Sequence, residues 1–327
     1  MKEENLSKKF MLEKGKAEMH QVKMTATEKG DMLAKVLAVL SQPGNASGQP
    51  KKIISPFVFM GFARYASFLS LLLIFFGGIT LASGHSLPGD ILYPMKVKII
   101  EPLQGAFKFS LEAEVAFQGS LATKRLIEAE ELINKKKFDS QKQDELGELL
   151  KEHTGAFERG IAELDADESV NENVKDELVT DFEASLNAHS KILDLLHSEE
   201  NLKSGNNEIS ENAKASAQRE GDKLRNSKDK KPATYENRKD TVRSLIEETT
   251  ESTNTDQNTE DRDEDVRDTI IKNTTKENLE KANESLREGD EEDQKGESKQ
   301  AYIKLLDSES SAKEAQILLQ LGKKFKR

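Results

Sequence analysis

Cysteine and tryptophan are both absent from the 327 residues. The first absence removes disulfides, thiolate nucleophiles and cysteine-ligated metals together, so any part of the chain outside the cytoplasm must be held by packing alone. Without Trp, and with four Tyr among 6% aromatic residues, the chain is short of the rigid anchors that dominate tight interfaces and sugar-binding grooves. Basic side chains are outnumbered, 49 Lys and Arg against 60 Asp and Glu. That balance argues against nucleic acid as a partner, since phosphates would be repelled. A charged fraction of 33% beside 35% hydrophobic suits helices with solvated faces better than a large mixed core.

Long hydrophobic runs are also missing, with one exception. From Phe57 to Ala82 the chain reads FVFMGFARYASFLSLLLIFFGGITLA, and from Ala66 onward it carries no charge. Ala66 to Ala82 lies at the short end of the roughly 17–25 residues that span a bilayer. Phe57 to Ala63 can extend it, with Arg64 snorkelling to the headgroups. Residues 1–64 hold eleven basic and six acidic side chains, a net of +5; of the totals of 49 and 60, this leaves 38 and 54 for the rest, a net of −16. The positive-inside rule then places the N-terminal part in the cytoplasm and the larger C-terminal part outside. Thr80-Leu81-Ala82 faintly resembles a signal-peptide cleavage site, but a signal peptide has a short basic lead-in, and here more than fifty residues precede the run.

Residues 1–56 read as a short cytoplasmic segment. Thr25-x-x-Glu28 is a capping-box pattern, followed by Met32, Leu33, Val36, Leu37 and Leu40 at helical spacing. The stretch from Gln42 to Pro50 has linker composition. Such a segment is either a tail with one amphipathic helix or an element that folds on a cytoplasmic partner.

Beyond the run, Pro88-Gly89 is set up for a type II turn and Pro94 for a first helical turn. Val97, Ile99, Ile100 and Leu103 are expected to pack inward until Pro102 kinks the helix or Gly105 ends it. Three longer helices follow. The first, near Ser110 to Lys136, carries Leu111, Val115, Ala122, Leu126, Ala129 and Leu132 on one stripe. The second opens with a Ser140-x-x-Gln143 capping box and carries Leu146, Leu149, Leu150, His153, Phe157, Ile161 and Leu164. The third opens with Ser169-x-x-Glu172 and carries Val174, Leu178, Phe182, Leu186, His189, Leu193 and Leu196. One apolar stripe per helix and short links predict an antiparallel bundle.

The run Pro88-Gly89-Asp90-Ile91-Leu92-Tyr93-Pro94-Met95-Lys96, together with Arg125-Leu126-Ile127-Glu128-Ala129, resembles the bacterial family catalogued as domain of unknown function 5667. The resemblance covers roughly Ser86 to Leu196, with a looser echo in the cytoplasmic helix. It rests on Pro88, Gly89, Asp90, Leu92, Tyr93, Pro94 and Lys96, then Arg125, Leu126, Glu128 and Ala129. It implies a membrane helix followed by an extracytoplasmic helical domain, and it brings no established activity. Some members of that family look like the outer portions of membrane-bound regulators that hold a sigma factor in the cytoplasm.

From about Asn201 to Asp268 apolar residues thin out and Glu, Asp, Lys, Ser, Thr and Asn dominate. This composition predicts a mostly disordered linker, with transient helix around Tyr235 to Glu248. Thr274-x-x-Glu277 then caps a helix bearing Leu279, Ala282 and Leu286 that breaks at Gly289-Asp290. A last helix carries Ala301, Leu305, Ala312, Ala315, Leu318 and Leu319, giving a hairpin.

Residues with chemical potential are few. His153 and His189 fall on apolar stripes, which invites a metal site. With the second and third helices paired about residue 167, however, the two rings are offset by roughly 12 Å along the axis. Each reads better as a core histidine with a hydrogen-bonded ring, and His197 adds no chelating pair. Glu128, Glu130 and Glu131 read as a solvated face. Arg125 sits beside a stripe and is expected to form an interhelix salt bridge with a buried Glu. Gly77-Gly78 is not a GxxxG pair.

The fold class expected is therefore all-α: a single transmembrane helix, an antiparallel helical bundle, a disordered acidic linker and a C-terminal helical hairpin. The boundaries are 1–56 cytoplasmic, 57–83 transmembrane, 84–200 bundle, 201–268 linker and 269–327 hairpin. No catalytic residue, cofactor or metal is expected. The partners are the lipid bilayer and a protein of unknown identity, with a cytoplasmic sigma factor as the specific alternative.

Overall fold

The computed structural model of the protein describes residues 86–167, 170–199, 207–255 and 266–325. All of these belong to one compact unit, Leu69–Arg327. Secondary structure among them is entirely helical. The cytoplasmic segment, the apolar run and the Ser169 cap lie outside the described residues. No helix among the described residues is long and apolar enough to cross a membrane.

Helix α1 is built in three pieces, Tyr93–Met95, a π-helical turn Lys96–Ile100 and Glu101–Ala106. Pro102 neither ends nor breaks it. The wider π turn lies directly before Glu101-Pro102, where a proline ring would otherwise crowd the carbonyl four residues back. Then follow α2 (Leu111–Asn134), α3 (Ser140–Ala166), α4 (Glu172–Glu199), α5 (Glu208–Asn226), α6 (Tyr235–Thr255), α7 (Val266–Gln294) and α8 (Ser298–Phe325).

Local chemistry accounts for several boundaries. Ser110 caps α2, its Oγ accepting from the Ala113 N–H at 3.2 Å. The cap of α3 is Asp139, one residue ahead of the expected Ser140, and its Oδ1 accepts from the Lys142 N–H at 2.9 Å. At the end of α2 the Lys137 N–H reaches the Leu132 carbonyl and the Lys136 N–H the Ile133 carbonyl, a Schellman closure. It places Lys136 at φ +54°, where glycine is the usual residue. The α7–α8 turn repeats this closure with Gly296 at φ +81°. So α7 does not break at Gly289-Asp290, and Thr274 does not cap it. The Thr274 hydroxyl instead donates to the Ile270 carbonyl within the helix.

Helices α2, α3, α5 and α4 pack in a closed ring, each against its neighbours, while the backbones of α3 and α4 stay apart across it. The sequence expectation paired those two. The fourth corner is α5, from the stretch expected to be disordered. Its Ile209, Ala213, Ala217 and Leu224 are buried at intervals of four and seven. Small residues make a weak hydropathy signal but let two helices approach closely, and the apolar gain comes mostly from the partner they cover. Helix α6 likewise buries Tyr235, Val242, Ile246, Thr249 and Thr253. It joins α7 and α8 in a three-helix layer whose α8 docks on α4. The linker reading of 201–268 is thus corrected for 208–226 and 235–255, and the hairpin is packed on the bundle.

One apolar core runs through both layers. The stripes predicted for α2, α3 and α4 line it, apart from Leu149 and Val174, with Leu126, Leu146, Leu186 and their neighbours almost wholly buried. At its centre Phe157 stacks on Phe182 with ring centroids 3.9 Å apart. Gly119 leaves room for this pair, since a Cβ there would stand 3.2 Å from Phe157.

Candidate functional site

Tyr93, Lys96, Arg125 and Glu128, from the two runs singled out in the sequence, converge with Glu101 on a buried ionic cluster. It begins with the turn Leu87 to Asp90. The Asp90 N–H bonds the Leu87 carbonyl at 2.9 Å, and Gly89 takes φ +93°, the positive value a type II turn requires. Asp90 Oδ2 accepts from the Leu87 N–H at 2.8 Å, so the aspartate clasps its own turn. The Asp90 carbonyl then receives the Tyr93 N–H, and Pro94 occupies the first turn of α1. Pro88 is buried, while Gly89, Asp90 and Pro94 face out and Leu92 is half-buried.

Each remaining polar member reaches across to α2. Lys96 Nζ donates to Glu128 Oε1 at 2.6 Å and to the Ser86 carbonyl at 2.8 Å. Tyr93 OH donates to Glu128 Oε2 at 2.8 Å and accepts from Arg125 Nη1 at 2.9 Å. Arg125 Nη2 meets Glu101 Oε1 at 2.5 Å, and Lys124 adds a second bond to that carboxylate at 2.8 Å. Arg125 is fully buried, and Tyr93, Lys96, Glu101 and Glu128 nearly so. Leu126 and Ala129 are core residues on the same helix.

Two positive and two negative charges therefore balance out of water. Burial alone raises the Glu101 carboxyl pKa, but Arg125 and Lys124 outweigh it and hold the group below the usual carboxylate range. Burial lowers the Lys96 ammonium pKa, and Glu128 only partly restores it. The Tyr93 phenol is pushed well up, by burial first and then by Glu128 against the opposing pull of Arg125. Such a network stays charged on its Glu101–Arg125 arm at neutral pH, and breaking it would strand a charge out of water.

This arrangement corrects two sequence expectations. Glu128 and Glu130 are not on a solvated face. Glu130 Oε1 lies 2.7 Å from His189 Nδ1 in the core, and of the three only Glu131 keeps a solvent-facing position. Nor do Ile99 and Leu103 pack inward: they stand 56% and 55% exposed, and the polar edge of α1 faces the core instead. The physical reason is that this orientation brings Lys96 and Glu101 of α1 within reach of Glu128 and Arg125 of α2, although Glu101 Oε2 and Arg125 Nε stay buried without a hydrogen-bond partner among the described residues. The interhelix salt bridge expected of Arg125 is present, with Glu101 as its partner.

The histidines are apart and each has its own partner. His153 Nδ1 is 3.0 Å from Gln118 Oε1, and burial, reinforced by Arg125, lowers its pKa to about 4. His197 lies edge-on to Phe138 at 5.7 Å.

A second cluster of the same residue types, unmarked in the sequence, pins the two layers together. Lys228, after α5, bonds Asp176 of α4 at 2.6 Å and Glu172 at 2.8 Å. Tyr302 OH of α8 donates to the same Asp176, and Arg238 Nε of α6 bonds Glu309 of α8 at 2.5 Å. Lys228 and Asp176 are almost fully buried. Each cluster sets a lysine beside a tyrosine ring, Lys96 at 5.5 Å from the Tyr93 centroid and Lys228 at 5.8 Å from that of Tyr302. The one local signal available was a charged residue set among apolar ones, as Glu101 is between Ile100 and Pro102-Leu103.

Among the described residues, the grooves found are not lined by either cluster. One of them, about 710 Å³, runs between α3 and α5 past Gly147, Gly155, Ile209 and Ser216, with Arg219 and Glu158 paired at 3.1 Å across it. Comparison with protein-family models, with curated proteins and with solved structures finds no match.

Proposed function

We propose that the protein is a single-pass, membrane-anchored extracytoplasmic helical protein that acts by binding or scaffolding in the cell envelope. The observation that carries this reading is the uncharged run 66–82, with a net of +5 before its core and −16 after it. It is followed four residues later by Ser86, whose carbonyl is already held by Lys96. The resemblance to the domain of unknown function 5667 family, through Pro88 to Lys96 and Arg125 to Ala129, points the same way. The buried acids and bases are committed to one another, which favours holding a shape over turnover. Binding would then fall to the outer faces of the bundle, the α3–α5 groove among them.

The test is alkaline carbonate extraction of membranes, with protease added to the outer face of intact cells or spheroplasts. Retention in the membrane and loss of the 86–327 part, with 1–56 protected, is the expected result. Release by carbonate, or protection of the 86–327 part, would end this reading.

The stripe Met32, Leu33, Val36, Leu37 and Leu40 after the Thr25-x-x-Glu28 box favours one alternative, a regulator of the anti-sigma-factor type that relays an outside signal. Crosslinking pull-down through a tag at Met1, with and without residues 1–42, separates the two. A cytoplasmic sigma factor captured only by the full chain supports the relay. Recovery of the same envelope proteins by both forms supports the scaffold.

A further inference from the structure

Helix α1 is amphipathic in the reverse sense. Tyr93, Lys96 and Glu101 are its buried side, while Ile99 and Leu103, and Phe107 just past its end, follow at intervals of four and stand 56%, 55% and 63% exposed. Ile91, in the turn just before, is 97% exposed. The only other large apolar side chains standing so open among the described residues are the adjoining Phe109 and, on α7, Val266 and Ile270. An outward apolar row on one short helix calls for a covering partner.

We infer that this row rests in the interfacial layer of the membrane, so that α1 lies on the bilayer and sets the bundle's distance from it. The inference deepens the membrane-anchored reading and rests on it. Its geometric basis is the short tether. The apolar run ends at Ala82, and four residues span at most about 14 Å. Ser86 is itself buried and fastened by Lys96, a member of α1, at 2.8 Å. With Ala82 at the edge of the hydrocarbon, α1 is held within a headgroup layer or two of it. Exposed Lys98 stands beside the row, where a long basic side chain reaches headgroup phosphates while its stem stays apolar; Lys108 at the other end is turned onto the Phe117 ring of α2, 5.2 Å from its centroid. Asp90, Glu112 and Glu114 are close in sequence too, so adhesion comes from the apolar side chains and not from net charge. A second copy is the weaker occupant. Four side chains make a patch on the order of 500 Å², below the roughly 800 Å² per partner of a standard interface.

The absence of cysteine makes the test clean. Full-length single-cysteine variants Ile99→Cys, Leu103→Cys and Phe107→Cys, with Ser70→Cys in the apolar run and Glu280→Cys on an exposed part of α7, are labelled with bimane. They are then placed in nanodiscs containing lipids spin-labelled near the headgroup or deep in the acyl chain. Headgroup-level quenching at the three α1 sites about twofold or more above Glu280→Cys is expected, as for side chains sunk roughly 5–10 Å into the interface. Deep quenching at Ser70→Cys accompanies it. If Ser70→Cys is quenched and the α1 labels behave like Glu280→Cys, the anchor stands and this inference is overturned. A blue-shifted but unquenched α1 label would mean that protein covers the row, and overturns it as well. If Ser70→Cys itself escapes quenching, the anchored reading fails and the inference with it.

Discussion

Arg125 Nη2 and Glu101 Oε1 meet at 2.5 Å, joining two helices through a pair in which neither side chain is appreciably exposed to solvent. Because the charges are desolvated, the worth of the pair lies less in its own strength than in the cost of breaking it.

Replacing Arg125 with Met leaves Glu101 and Glu128 facing each other's neighbourhood with only Lys96, Lys124 and Tyr93 to answer them. Arg125→Met is expected to lower stability by about 3–5 kcal/mol in urea unfolding. Adding Glu101→Gln to it should cost little more, because the orphaned charge is then gone. Additive losses in the double variant would show that the pair is not the coupling unit.

His153 makes stability pH-dependent in a defined window. Its pKa is lowered from 6.5 to about 4 in the folded state, by burial and then by Arg125. Below pH 6.5 the unfolded chain takes up a proton that the folded chain refuses until about pH 4, so stability falls as pH falls through this interval. The loss should be on the order of 3 kcal/mol. His153→Gln, which keeps a polar partner for Gln118, should flatten that part of the curve. Glu101 acts at lower pH: its depressed carboxyl pKa stabilises the fold above the normal glutamate value, and this contribution is lost as pH falls toward its folded value.

Two glycines of α3 should respond oppositely to alanine. Nothing lies within 4 Å of a Cβ at Gly147, so Gly147→Ala is expected to stabilise by about 0.5–1 kcal/mol through helix propensity. A Cβ at Gly160 would strike Val115 of α2, and Gly160→Ala is expected to cost about 1–3 kcal/mol. Thermal melts of both variants decide it, and equal shifts would contradict the α2–α3 packing.

The bundle needs the helices after α4. A chain ending at residue 200 keeps every stripe named for α2, α3 and α4 but loses both α5, whose Ser210 hydroxyl donates to the Ser190 carbonyl and to Asp194 of α4, and α8, which docks on α4. It should lose cooperative thermal unfolding and bind a hydrophobic dye. A sharp melt of the 1–200 chain at the full-length temperature would show that the first three long helices suffice.

Much of the molecule is legible in one dimension because its signals are local. The stripes of α2, α3 and α4 follow from helical periodicity. The Pro88-Gly89 turn follows from backbone groups within three residues of the side chains that serve it, whereas the caps read at Ser140 and Thr274 did not hold, Asp139 capping α3 and Thr274 lying inside α7. The uncharged run and the charge step across it are likewise properties of the chain alone. What tertiary structure decided is where the charges go. Arg125 finds Glu101 and Tyr93 at separations of 24 and 32 residues. Lys228 finds Asp176 at 52, and His189 finds Glu130 at 59. These partnerships turned α1 polar side inward and drew Glu128 and Glu130 out of water. Packing against α4 and α8 likewise ordered α5 and α6, whose small and polar residues gain little alone. A charged residue carries no mark of whether its partner will be water or another buried charge, and only the assembled helices, by excluding water, settle which.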